Sequence, residues 1–221
     1  MANITLTKSL RLAGQIEVIT PLLIGGSEES LSIGSAADRS FIRDSIDGYP
    51  YIPGSSLKGK LRSCLEESTP GKITGNEPHR CDDVKCPICT IFGPHKKAEH
   101  NFGPTRLLMR DAAFSQESIN ALKVAQSAGK PYFELKTENW IDRRTRVAGS
   151  PRTFERVPKS AKFDFELVLR IFNVDDKDDP EEDFKAFVIK GLRLVENSYL
   201  GSNGSRGYGK VKFHDGDWQQ L

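Results

Sequence analysis

Between Ala161 and Ile171 the chain alternates with a period of two. Phe163, Phe165, Leu167, Leu169 and Ile171 are interleaved with Lys162, Asp164, Glu166 and Arg170. Strand side chains point to opposite faces in turn, so this pattern requires a strand with one face in a core and one toward water. Pro180 and the acids after it open a helix, where negative charge suits the positive end of the helix dipole. Phe184, Phe187, Val188, Leu192 and Val195 then recur at helical spacing. A glycine-rich segment, Gly201 to Lys210, separates this helix from a last strand at Val211-Lys-Phe213. A chain ending in strand, helix, loop and strand packs its helices on a sheet.

The N-terminal half supplies the remaining elements. Residues 9–20 alternate well enough for a strand, Gly25-Gly26 breaks the chain, and residues 27–50 are polar and loop-like, with a short strand expected around Phe41-Ile42-Arg43. Gly54-Ser55-Ser56 opens a helix in which Leu57, Leu61, Cys64 and Leu65 share one face, with Ser55 or Ser56 as the expected cap. Residues 68–104 read as an insertion, Arg106–Phe114 as a strand and Ser115–Lys123 as a short helix. The stretch 136–160 holds two prolines and no sustained period, and reads as a long excursion or hairpin. The resulting order suits an α+β fold of ferredoxin type, with helices on one sheet face.

The net charge of +2 conceals a segregation. Residues 173–183 carry six net negative charges and residues 136–162 five net positive ones, with arginine outnumbering lysine in the basic stretch. A basic surface of this kind suits a polyanion, and arginine suits phosphate and base contacts. No apolar run is long enough to span a membrane and the N-terminus lacks a signal-peptide core, so a cytoplasmic protein with no membrane partner is expected.

Three of the four cysteines lie in His79-Arg-Cys81-Asp-Asp-Val-Lys-Cys86-Pro-Ile-Cys89. One imidazole and three thiolates at this spacing suit tetrahedral Zn2+, and four protein ligands make the site structural. His95 or His100 can replace His79 as the fourth ligand. Cys64, on a helical core face, reads as packing. The helix start Gly54-Ser55-Ser56-Leu57-Lys58-Gly59-Lys60-Leu61-Arg62 sets small residues beside three bases, which is either a phosphate seat or an ordinary capped amphipathic helix. Gly204-Ser205-Arg206-Gly207 is either a turn or a cradle of N–H groups for phosphate. It is neither a Walker loop nor a dinucleotide fingerprint, because no Gly-Lys-Ser/Thr follows and a strand comes next. Asp38 is a loop carboxylate able to act on a ribose hydroxyl or hold a divalent ion, or a solvated surface acid.

Together these segments resemble the RAMP superfamily, and more narrowly the backbone subunit of the Csm-type, or type III-A, CRISPR effector complex. The residues that carry the resemblance are Leu22-Leu-Ile-Gly-Gly26, Ile52-Pro-Gly-Ser-Ser-Leu-Lys-Gly-Lys-Leu-Arg62, Glu138-Asn-Trp-Ile-Asp-Arg143 with Thr145, Pro151-Arg152, Glu155-Arg156-Val157, and Leu200 to Val211. The resemblance implies one RAMP domain over residues 1–221, with a modified ferredoxin-like (RRM-like) core, a lid insertion at 68–104 and a protruding thumb at 132–160. It implies a filament of such subunits along a guide RNA (crRNA), with complementary target RNA, further copies of the chain and other Csm-type subunits, including the large signalling subunit, as partners. The RNA-binding set is then Gly54, Ser55, Ser56, Lys58, Lys60, Arg62, Asn139, Arg143, Arg144, Arg146, Arg152, Arg156, Gly204, Ser205, Arg206 and Gly207. Asp38 falls on the family's cleaving aspartate, which cuts target RNA with a divalent metal such as Mg2+ by attack of a 2′-hydroxyl on the adjacent phosphate. Leu23 stands where the family often has histidine. Two alternatives stay open: a scaffold that binds crRNA without cutting, and a stand-alone RAMP endoribonuclease that matures guide RNA. The latter usually depends on a loop histidine, and neither early loop of this chain has one.

Overall fold

The computed structural model describes residues 3–25, 37, 39–73, 75–96, 99–175 and 179–221. The alternating run forms β7 (Lys162–Phe172), which pairs antiparallel with β1 (Leu6–Val18) from Leu6↔Phe172 to Glu17↔Lys162. On the far edge of β1 lie β8 (Val211–Asp215) and the short β9 (Gln219–Gln220). On the far edge of β7 lie β3 (Leu107–Met109) and β4 (Ala112–Phe114), and β2 (Tyr51–Ile52) pairs with β4. Between β1 and β4 comes helix α1 (Gly54–Ser68), and between β7 and β8 comes α4 (Pro180–Asn197). The spatial order β4-β7-β1-β8, with these two crossover helices, is the ferredoxin-like arrangement expected.

The core lies between the sheet and these helices. Leu12, Ile16, Phe163, Phe165 and Leu167 from the sheet are buried with Leu57, Leu61 and Leu65 of α1 and Phe184, Val188, Leu192 and Val195 of α4. Each such side chain contributes about 1.5–3 kcal/mol by burial. Cys64 is buried among them, as its place on the helix face predicts. Asp179 caps α4, its carboxylate accepting from the Glu182 N–H.

Two insertions leave this core. The first holds α2 (Pro87–Phe92). The second follows α3 (Gln116–Ser127), which Ser115 caps, and is a hairpin of β5 (Glu134–Glu138) and β6 (Arg152–Arg156). The expected hairpin is therefore present in the basic stretch. Three local expectations change. The strand over Arg106–Phe114 is two strands, because Asp111 turns away to accept the Gly54 N–H at 2.7 Å. Phe41 and Arg43 make single bridges, to Gly25 and Pro50, instead of a strand. The cap of α1 is not a serine: Pro53 precedes the helix without a side-chain cap, and the Asp111 carboxylate serves its first N–H. Among the described residues no helix is long and apolar enough to cross a membrane.

Candidate nucleic-acid interface and metal centre

Cys86 is the N-cap of α2 and Cys89 lies one turn on, so both thiols face the same side. The chain before them brings in His79 and Cys81, and the four ligand atoms lie within 4.8 Å of one another. Cys86 Sγ is 3.6 Å from His79 Nε2, and Cys81 Sγ is 3.6 Å from Cys89 Sγ. A tetrahedron with metal–sulfur bonds of about 2.3 Å has edges of about 3.8 Å, close to these two separations. Hydrogen bonding from Cys89 holds the Cys86 thiol well below its ordinary range, and the same bond pushes the Cys89 thiol up, so one proton is shared between two thiols in contact. His95 and His100 are outside the cluster, and His100 sits against the Phe102 ring. His79 is thus the histidine that the fold brings to the three cysteines.

The helix-start bases divide. Lys58 turns inward, its Nζ donating to the Leu107 carbonyl at 2.8 Å, and burial with Arg170 and Arg62 nearby lowers its pKa. Arg62 also turns inward, bonded to Glu66, His79 and Gly93. Gly54 is buried with its N–H taken by Asp111, so the negative charge at this helix start comes from the chain itself. Ser55 is exposed and Ser56 half-buried, and Lys60 points to the surface, its Nζ 3.9 Å from the centre of the Tyr199 ring.

Tyr199 connects Lys60 to the glycine loop. A Cβ on Gly204 would come within 1.9 Å of the Tyr199 ring, and Gly209, at φ +71°, would meet the Leu200 carbonyl oxygen at 2.0 Å. These two glycines are therefore required for packing. Gly207 is exposed with open space around it, and Ser205 and Arg206 are exposed on the short 3-10 turn Gly204–Arg206.

The loop meets the base of the hairpin at Glu138, whose carboxylate accepts from the Tyr208 hydroxyl at 2.5 Å and from Arg206 at 3.1 Å and pairs with Lys136 at 3.0 Å. These donors, the Tyr208 hydroxyl foremost, hold the Glu138 carboxyl down to about 2. Burial, and the Glu138 bond after it, push the Tyr208 hydroxyl up. The Arg156 guanidinium lies 4.5 Å over the Tyr208 ring and pairs with Glu134, while its buried Nε has no partner among the described residues. Beside this junction runs an open groove lined by Lys136, Asn139, Trp140, Ser150, Arg152 and Arg206.

At the hairpin tip Asp142 accepts from the N–H groups of Arg144 and Thr145, both at 2.8 Å, and this turn leaves Arg143, Arg144 and Arg146 exposed. Sequence reasoning missed Lys136, Glu138 and Tyr208 as a unit. The sequence signal was an acid at the edge of a basic stretch; the tyrosine that bonds it lies 70 positions away. Asp38 lies outside the described residues. Its neighbour Arg39 bonds through the main chain to Thr153 and Glu155, on the strand that forms the hairpin base.

Residues 15–212 match the model of the RAMP superfamily. The chain is 43% identical over 97% of its length to a Methanocaldococcus jannaschii protein named CRISPR system Cms endoribonuclease Csm3, of which it covers 82%. It is 41% identical over 92% of its length to the Streptococcus thermophilus protein of the same name, of which it covers 86%. Among solved structures it is similar to Methanopyrus kandleri Csm3, with a TM-score of 0.64 and 27% identity, covering 96% of this chain and 77% of that one. A crystal structure of a Csm3–Csm4 subcomplex of the type III-A interference complex matches with a TM-score of 0.58 and 32% identity, over 95% of this chain and 77% of the other. With its ferredoxin-like core, its hairpin and its glycine loop in this order, the chain belongs to the RAMP superfamily and, within it, to the Csm3 group.

Proposed function

We propose that this protein is the crRNA-binding backbone subunit of a type III CRISPR effector complex, forms a filament along the guide and cleaves bound target RNA at regular intervals. The observation that carries this reading is the junction of glycine loop and hairpin, where Arg206, Lys136 and Tyr208 converge on one carboxylate beside a groove that also holds Arg152, Asn139 and Trp140. Cations at the edge of a groove track an RNA backbone, and an exposed tryptophan offers a face to a base. Ser55, Ser56 and Lys60 extend this surface past Tyr199 to Ser205 and Gly207, and Arg143, Arg144 and Arg146 extend it along the hairpin, with Arg156 packed at its base against the Tyr208 ring.

In the same reading, residues 132–160 are the thumb and residues 68–104 the lid. A zinc ion held by His79, Cys81, Cys86 and Cys89 would staple the lid, which is too polar to fold unaided. Asp38 is the cleaving residue, with a divalent ion such as Mg2+. Its main-chain neighbour at the hairpin base supports a scissile phosphate near the thumb. The experiment is Asp38→Ala in the reconstituted complex, with target RNA, in Mg2+ and in EDTA. Cleavage is expected to disappear in the variant and in EDTA, with guide binding unchanged. Continued cutting by an intact variant complex would assign the chemistry to another residue.

A further inference from the structure

Arg62 and Glu66 lie one turn apart on α1 and form an ion pair at 2.7 Å, with side chains only 14% and 10% exposed. Among the described residues, the other side-chain bonds of this pair reach the first insertion. Arg62 Nη2 donates to the His79 carbonyl at 2.6 Å, and Nη1 donates to the Gly93 carbonyl at 3.0 Å. Glu66 Oε1, which accepts from Arg62 Nε, also accepts from the His79 N–H at 3.0 Å. His79 is therefore held at both main-chain polar groups by one pair of side chains. Gly93 ends the helix that begins at Cys86 and contains Cys89, so the same guanidinium also ties down the segment bearing two thiols.

We propose that Arg62 and Glu66 are positioning residues for the metal centre, fixing the His79 main chain so that its imidazole meets the three sulfurs. This rests on reading His79, Cys81, Cys86 and Cys89 as a zinc site. Only arginine can serve here, because three separate nitrogens of one planar group reach acceptors on α1, at His79 and at the end of α2. A lysine has one nitrogen and cannot span them. The arrangement also joins the metal centre to the helix that bears Ser55, Ser56 and Lys60.

The test is Co2+ loading of the full chain, read by the d–d absorption bands, with competition by a chelator. Wild type is expected to take one Co2+ with the spectrum of a Cys3His tetrahedron. Arg62→Met and Glu66→Ala should shift that spectrum toward the one given by His79→Ala, and release metal about 10–100-fold more readily. Arg62→Lys should behave like Arg62→Met, and Glu66→Gln, which retains an acceptor for the His79 N–H, should keep the wild-type bands. Loss of helix packing alone would not reproduce the His79→Ala spectrum in a folded protein. If Arg62→Met does not fold, Arg62→Lys and Glu66→Ala give the same reading. Wild-type bands and an affinity within about twofold of wild type in those variants would overturn the positioning role while leaving the zinc site standing. A wild-type chain that takes up no Co2+ would overturn both.

Discussion

Glu138 has three partners, drawn from two elements, and that makes it the residue on which the junction of hairpin and glycine loop turns. Tyr208 and Arg206 come from the glycine loop, Lys136 from the same strand, and Arg156 covers the tyrosine ring from the partner strand. The Tyr208 hydroxyl is a buried donor to an ionised acceptor, a bond worth about 1.5–3 kcal/mol. Tyr208→Phe should lower stability by about that amount, read from denaturant midpoints at neutral pH. The carboxyl is held down to about 2 from its ordinary 4.5, so its stabilising share is present above 4.5 and lost as pH falls through about 2. Glu138→Gln removes that proton linkage. The difference in Tm between wild type and this variant should narrow between about pH 5 and pH 2, and a constant difference would mean that the carboxylate is not held by these donors. The arginines of this surface were legible from composition alone, and the acid that organises them was not. Charge counting treats an acid in a basic stretch as a subtraction, whereas its role depends on a contact 70 positions away. Lys58 shows the opposite failure: it lies in a basic motif, but its nitrogen reaches an inward carbonyl.

At the scale of elements, strands and helices with a clear period were readable, and elements set by a single distant bond were not. β7 and α4 follow from alternation and helical spacing, because each buries one face over many residues. The break between β3 and β4 depends on one carboxylate reaching Gly54, which no local pattern records. The cluster of His79 and the three cysteines was legible for a third reason, the chemistry of its donors. Among the described residues around the cysteines, the buried hydrophobic side chains are those of Cys86, α2 and Phe102, while Asp82, Asp83, Val84 and Lys85 are exposed. A segment built this way depends on its metal for order. Chelation of the purified chain should therefore abolish hydrogen-exchange protection over residues 77–93 and leave β1 and β7 protected. Equal protection before and after metal removal would mean that the lid is held by the Arg62 bonds and α2 packing alone.

The whole molecule offers RNA two surfaces, and they differ in kind. The outward face of the sheet, where an RRM-type fold stacks bases on aromatic side chains, here presents Arg11, Ala13, Gln15 and Glu17 of β1, Asp164 and Glu166 of β7, and Lys212 and His214 of β8. None of these eight is a Phe, Tyr or Trp, the one ring is the His214 imidazole, and most are paired across strands: Arg11 with Glu166 at 2.6 Å, Gln15 with Asp164 at 2.9 Å, and His214 with Glu17 at 2.8 Å. Such a face is close to neutral and gives a phosphate chain little to bind. The hairpin and glycine loop instead carry exposed arginines and an exposed tryptophan at the edge of the molecule, where a long strand can pass without meeting the core. RNA affinity should therefore respond to the edge and not to the face. Arg206→Ala should weaken binding and reduce the slope of log K against log salt by about 0.7, the share of one single-strand phosphate contact. Arg11→Ala and Lys212→Ala should leave both slope and affinity unchanged within about twofold. The measurement is filter binding of the full chain to single-stranded RNA over a salt series. If Arg11→Ala instead lowered the slope as much as Arg206→Ala, the RNA would cross the sheet as on an RRM, and the hairpin would be left as an assembly element only.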